Sequence, residues 1–413
     1  MADQPVTMRT ISWRDFCPWL VIVRAFRLAI SLQLLSIATV GVLATAFGWS
    51  ILGQLLPPGT GPSQAATRSW VSLYSTDTSS VLIPEPPQNF KVIWRTLADG
   101  PVFGVWRRLN APYCGLLTNR FISWRDPTFS LCGAFWTLVV WSWFGAAITR
   151  SAALQLTVNE RPSLSQLFRH SSAKFGAHLA APLLPLLLVF VLTVVLMLTT
   201  GLLARWDASL WITGVLWGPA LILAFTMVVV LLGLYVGWPL MWATISTEGT
   251  DAFDALSRSY SYVFQRPLHY LFYTFVAAVV GTLGWFLFDH VSEAVIHLAS
   301  WGAACMAGWS RISEITLNVG DGSATQAAAP VGTLLIGWWI ALVRAIATAF
   351  TYSYFWSSMT VIYLLLRHDV DRTEMDEVHL SPQDETYGLP PLSVDEAGVP
   401  SVADEALATE NDG

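Results

Sequence analysis

Charge is what this sequence has least of. Only 12% of its residues are Asp, Glu, Lys or Arg, about half the share of a soluble globular chain, while 54% are hydrophobic. That shortage excludes the two or three ordinary soluble domains that 413 residues would otherwise allow. Lysine is nearly missing, since Lys91 and Lys174 are the only two among 22 basic residues. The arginine bias suits helix ends near phosphate headgroups, or reflects codon usage. Cysteine is scarce as well. Cys17, Cys114, Cys132 and Cys305 make no CxxC pair, which argues against thioredoxin-like or zinc-ribbon chemistry. HExxH, GxSxG, GxGxxG and Walker patterns are all missing, and there is no basic footprint for nucleic acid. No cofactor is expected on these grounds.

The net charge of −6 conceals a split. Acidic side chains crowd residues 371–413, where Arg372 is the lone Lys or Arg, so the rest of the chain is net positive. A membrane body with a solvated acidic tail has that pattern. The tail from Thr373 on is poor in aromatics and is expected to be disordered, with Tyr387 to Leu392 as a linker or docking peptide.

Apolar runs dominate what remains. A helix needs about 20 apolar residues to cross the hydrocarbon core. Six runs qualify, near 28–56, 128–149, 175–204, 219–245, 267–288 and 345–366. Backbone groups in lipid must bond internally, and these runs lack the alternating polarity of barrel strands, so they are helices. The fold class expected is therefore all-α: a polytopic bundle of about six spans with interfacial amphipathic helices. Its parts are an N-terminal segment 1–27, a membrane domain 28–367 and a tail 368–413. The first run continues through Leu56, too long for the apolar region of a signal peptide, so the Ala44-Thr45-Ala46 triplet is not read as a cleavage site.

Within the runs, the third helix is expected to begin near Pro182 and Pro185, because proline suits a first turn. The uncharged stretch 208–247 is too long for one straight span, so Pro219 to Ile245 is taken as the fourth, preceded by a turn or interfacial piece. The sixth is placed mainly after Arg344. Orientation follows the cations of short flanks. Arg9, Arg14, Arg24, Arg27, Arg150, Arg161, Arg169, Lys174, Arg258, Arg266, Arg367 and Arg372 fall on one side of a six-span chain, against Arg205 and Arg311 on the other. The expectation is a bacterial cytoplasmic-membrane protein with both termini inside and the bilayer as its partner. The outer loop 57–127 and the segment after 288 mix aromatics with polar residues, as surface-lying segments do. Cys114 and Cys305 fall in segments placed outside, where a disulfide between them is conceivable.

Two inner connectors resemble each other. At a fixed offset of 89 residues, Leu167, Arg169, Ser172, Phe175 and Leu179 match Leu256, Arg258, Ser261, Phe264 and Leu268. Each opens on a capping pattern, Ser163 with Gln166 and Asp251 with Asp254. Each is read as a short inner-surface helix that turns into a span. Ile11 to Asp15 echoes Ile122 to Asp126 more briefly.

Over residues 150–290, through Phe253, Leu256, Arg258, Ser259 and Tyr262, the chain resembles uncharacterised multi-pass bacterial membrane protein families. It is also loosely similar to the membrane domain of some glycerophosphodiester phosphodiesterases. That resemblance implies a repeat-built helical membrane domain. The phosphodiesterase catalytic domain has no counterpart here, so no activity is implied.

Few residues carry candidate chemistry. His290, Glu293 and His297 share a helix face beside Asp289, either as ligands for a divalent metal or as the wet face of a surface helix. Arg344 is the one formal charge in its apolar run, either an intramembrane contact for an anionic substrate or an interfacial arginine. Gly214 with Gly218 and Gly233 with Gly237 are small-xxx-small pairs, which mark close helix packing or, with Pro219 and Pro239, a broken transporter helix. Asp369-Val370-Asp371 matches a metal-binding DxD only as a three-residue string. The leading reading is a non-enzymatic structural or accessory membrane subunit. A permease-like transporter comes second and a membrane-embedded enzyme third.

Overall fold

The structure is a computed structural model that describes residues 18–56, 90–118, 125–320, 331–375, 377–378, 392–394 and 400–402. The echo at Ile11 to Asp15, Cys17, the turn-rich Pro57 to Pro62 and the tail from Tyr387 to Pro391 lie outside those residues. In chain order the helices are α1 (Ile22–Ala29), α2 (Leu32–Leu55), α3 (Phe90–Asp99), α4 (Pro101–Thr118), α5 (Arg125–Thr157) and α6 (Leu164–Ala173). They continue as α7 (Phe175–Leu196), α8 (Leu210–Glu248), α9 (Ala252–Gln265), α10 (Pro267–Ala307), α11 (Trp309–Gly320) and α12 (Val331–Asp371). Among the described residues, six helical stretches are long and apolar enough to cross a membrane: Leu32–Leu55, Arg125–Thr157, Phe175–Arg205, Asp207–Glu248, Pro267–Ala307 and Val331–Asp371. The all-α membrane bundle is thus what the chain forms. Leu392–Val394 (β1) and Pro400–Val402 (β2) pair antiparallel and belong to a separate unit that begins at Val378.

In the membrane unit, α5, α8 and α12 each touch the other two and form an inner triangle. Outside it, α2 packs on α5 and α12, α7 packs on α5 and α8, and α10 packs on α12. Each outer helix follows a short one, so α1–α2, α6–α7 and α9–α10 are three units of one design. The sequence repeat showed only the second and third. Their caps form as read: Ser163 and Gln166 make a reciprocal capping box, and Asp251 accepts from the Asp254 N–H. Two inner helices stop at left-handed residues, Gly249 after α8 and Arg372 after α12, and Asn159 takes the same conformation two residues beyond α5.

The middle of the triangle is closed by rings. Trp141 stacks on Tyr352 at 4.5 Å and Trp242 on Trp356 at 4.6 Å, with Trp238 edge-on to both Trp242 and Trp356. Gly145 makes this possible, because a Cβ there would lie 2.9 Å from Trp242 and 3.0 Å from Trp356. Nearly every residue of α12 from Ala345 to Arg367 is buried. Lipid tails are as apolar as these side chains, so close packing rather than water exclusion holds the helices together.

Several expected helix limits move. α8 runs unbroken for 39 residues, about 58 Å, with Pro219 and Pro239 inside it. A proline forfeits one backbone bond, whereas a turn in apolar surroundings would strand several, so the helix continues. α7 likewise starts at Phe175 with Pro182 in its interior. α10 absorbs the segment after 288, and α12 passes straight through Arg344. The loop helix α4 does not lie on a surface. Its Val102, Val105 and Leu109 are buried in the core, packed among α5, α10 and α12.

Candidate functional site

Two places gather side chains that a simple bundle does not require. The first is a polar lattice where α8 and α12 end. The Glu248 carboxylate, on the last residue of α8, takes Arg258 of α9 at 2.6 Å, Arg367 of α12 at 3.6 Å and the Tyr363 hydroxyl at 2.5 Å. Arg367 also donates to the carbonyls of Glu374 and Glu377, which holds the start of the tail against the helices. Burial opposes the charge of Arg258, but the bond it donates to Asp254 and the field of Glu248 outweigh it and raise its pKa. Tyr262 donates to Asp371 and Tyr273 to Asp369. Burial first, and then Asp371, pushes the Tyr262 phenol upward, so it stays a donor. The two aspartates of the DxD string therefore fasten α12 to α9 and α10.

Deeper in the same lattice, the buried Arg150 donates to the Ser246 carbonyl at 2.9 Å. The Ser246 hydroxyl meets Thr149 at 2.6 Å and the His178 ring at 3.2 Å. His178 is fully buried, and its other ring nitrogen bonds the Lys174 carbonyl, so Ser246 faces the acceptor nitrogen. Pro182 has no N–H for the carbonyl four residues earlier, and the Trp242 indole bonds that carbonyl, the one on His178, at 2.8 Å. Sequence reasoning missed Glu248, Arg150 and His178. The signal available was polar residues near the ends of long apolar helices, Arg150 and Glu248 in the closing turns of α5 and α8 and His178 in the first turn of α7.

At the other end of α12, Arg344 is not alone. Its guanidinium forks onto Glu293 of α10 at 2.9 and 3.3 Å. This brings together two residues that the sequence placed in rival hypotheses. The three candidate metal ligands have other neighbours: Glu293 turns to Arg344, His290 bonds the Phe286 carbonyl, and His297 lies against Trp309. Among the described residues, no group of three or more His, Cys, Asp or Glu is placed to hold a metal ion. Neither Cys114 nor Cys305 forms a disulfide. Of the glycine pairs, Gly233 and Gly237 pack against Tyr260 and Ser259, whereas a Cβ at Gly214 or Gly218 would meet nothing.

The second place is a cavity of about 370 Å³ enclosed by α4, α5, α7 and α8. Tyr113, Trp141, Leu186, Leu231, Trp238 and Trp242 define its walls. Val228 and Leu232 also line it and are 60% and 54% exposed, so its mouth opens sideways onto the lipid-facing side of α8. Its volume falls within the range of small-molecule sites. No side chain lining it carries a formal charge. The protein-family models, the curated proteins and the solved structures compared with this chain give no match.

Proposed function

We propose that this chain is a non-enzymatic accessory or structural subunit of a cytoplasmic membrane, with both termini inside. The observation that carries the reading is the α7–α8 hairpin. Only 22% and 17% of the apolar windows of its two helices are buried, the lowest shares among the six spans. Its outer half therefore touches little of this chain, and Gly214 and Gly218 lie open on it. Small-xxx-small faces are where membrane helices meet closely. The ionisable groups around the spans favour the same reading, because Glu248, Asp369, Asp371 and Glu293 are bonded to partners within the bundle.

The orientation rests on where the cation-bearing segments gather. Lys174 donates to the Gly249 carbonyl, Glu248 holds Arg258 and Arg367, and Gln33 donates to the Pro162 carbonyl at 2.8 Å. Those contacts bring the starts of α2 and α7 and the ends of α8 and α12 to one end of the bundle, the end that the positive-inside rule assigns to the cytoplasm.

The test is purification in mild detergent from the membranes of the source cell, with chemical cross-linking. A stoichiometric membrane partner is expected, cross-linked near Gly214 and Gly218 and lost in the Gly214→Ile/Gly218→Ile variant. A partner-free protein that carries a solute across proteoliposomes would overturn the proposal in favour of transport.

A further inference from the structure

We infer that the cavity between α4, α5, α7 and α8 is a binding site for one hydrocarbon chain of a membrane lipid, entering sideways past Val228 and Leu232. Most of the polar atoms of its walls are bonded to the protein or buried within it. The Tyr113 hydroxyl donates to the Ala134 carbonyl at 3.0 Å and Thr137 to the Gly133 carbonyl at 2.8 Å. The Asn110 amide donates to the Trp106 carbonyl at 2.9 Å, and the Trp242 indole to the His178 carbonyl freed by Pro182. The indole nitrogens of Trp141 and Trp238 are buried away from any accessible surface. Residues that are amphipathic by type thus present hydrocarbon and ring faces inward. Such a surface offers a headgroup nothing and a chain a full set of dispersion contacts.

The walls are also fixed in advance. Trp141 is clamped by its stack on Tyr352 and Trp242 by its stack on Trp356, so the cavity does not collapse when empty. Apolar cavities of this kind stay dry and accept apolar guests. The occupant is identified by complementarity: no charged residue lines the site, and its mouth lies among the exposed apolar side chains of α8. An acyl chain and an isoprenoid chain share that chemistry. This inference does not depend on the accessory role proposed above.

The experiment uses the full chain in phosphatidylcholine vesicles with two photoprobes, a phosphatidylcholine bearing a diazirine in one acyl chain and a farnesyl alcohol bearing the same group. Labelled residues are mapped by mass spectrometry. At least one probe is expected to label Tyr113, Cys114 and Leu231 roughly fivefold more densely than Leu221 and Phe225 on the exposed side of α8. Leu186→Trp or Leu231→Trp fills the cavity and is expected to bring that excess down to the Leu221 level. Native mass spectrometry of the unaltered protein needs no variant, and is expected to show one retained lipid per chain; its mass distinguishes a phospholipid from an isoprenoid. Equal labelling of cavity and exposed positions, or no retained lipid, overturns the inference.

Discussion

Glu248→Gln is the substitution from which the structure predicts most. It keeps the shape of the side chain and removes the charge that faces Arg367. The two groups are 3.6 Å apart and their side chains are 5% and 14% exposed. At an effective dielectric near 20 the attraction is about 4–5 kcal/mol before desolvation, most of which the cost of burying both charges cancels. The pair with Arg258 adds little, about 0.5 kcal/mol, because Arg258 is 39% exposed and Asp254 remains beside it. Weakening the Tyr363 bond costs about 1 kcal/mol more. The larger effect is what remains behind: a guanidinium held only by two carbonyls, with its Nε already without a partner. Glu248→Gln is therefore expected to lower unfolding free energy by about 2–4 kcal/mol, read from reversible SDS-titration unfolding in mixed micelles. Arg367→Met should cost less than Glu248→Gln, since the carboxylate left behind keeps Arg258. Glu248→Met combined with Arg367→Met should recover at least half of the Glu248→Gln loss, because no buried charge is then left unpaired. A loss under about 1 kcal/mol for Glu248→Gln, or a double variant as unstable as the sum of the singles, would refute the hub.

Arg344→Met should loosen α10 from α12 by about 1–2 kcal/mol, and exchanging the charges as Arg344→Glu with Glu293→Arg should restore more than half, measured by the same titration. Gly233→Leu should destabilise by about 2 kcal/mol or more through collision with the Tyr260 ring, whereas Gly214→Leu should leave the isolated chain within about 0.5 kcal/mol of wild type. Trp242→Phe removes the donor to the His178 carbonyl and should cost about 0.5–1.5 kcal/mol, with the stack on Trp356 largely kept. Thiol-reactive probes applied to sealed, inside-out vesicles should reach Ser163→Cys and Asp251→Cys equally, and probes applied to right-side-out vesicles should reach neither.

Much of the fold was legible because its signals are local. Uncharged runs of sufficient length mark the spans, and Ser163 and Asp251 mark the starts of α6 and α9 by the side-chain oxygens they supply. Helix limits were less legible, for a physical reason. Pro182 and Pro219 read as boundaries in a sequence, yet in lipid the alternative to one missing bond is a stranded turn, and Trp242 satisfies the carbonyl that Pro182 frees. Side-chain partners were the least legible. Glu248 and Arg367 lie far apart in the chain, as do Glu293 and Arg344, and nothing short-range announces either pair. In isolation Glu293 suggested a metal ligand and Arg344 a transport path. Only the fold shows that each has a counter-charge.

The same contrast separates the two ends of the bundle. Around the inner helices, side chains reach across to backbone carbonyls: Ser259 of α9 to Gly237 of α8, Tyr270 of α10 to Val236 of α8, and Tyr354 of α12 to Ala277 of α10. Such bonds average about 0.6 kcal/mol each in a membrane, so it is their number, together with ring stacking, that locks this end. Along α8 toward its start they become few, because residues from Leu210 to Leu232 are mostly apolar and, Thr213 apart, exposed or only half-buried. The cavity lies at that transition, with Trp242 and Trp238 as its rigid floor and Val228 and Leu232 as its open rim. A helix fastened at one end and free at the other moves most at the free end. The α7–α8 hairpin is therefore expected to be held at the Trp238–Trp242 end and to move at the end that carries Gly214 and Gly218, which is where a partner helix would steady it.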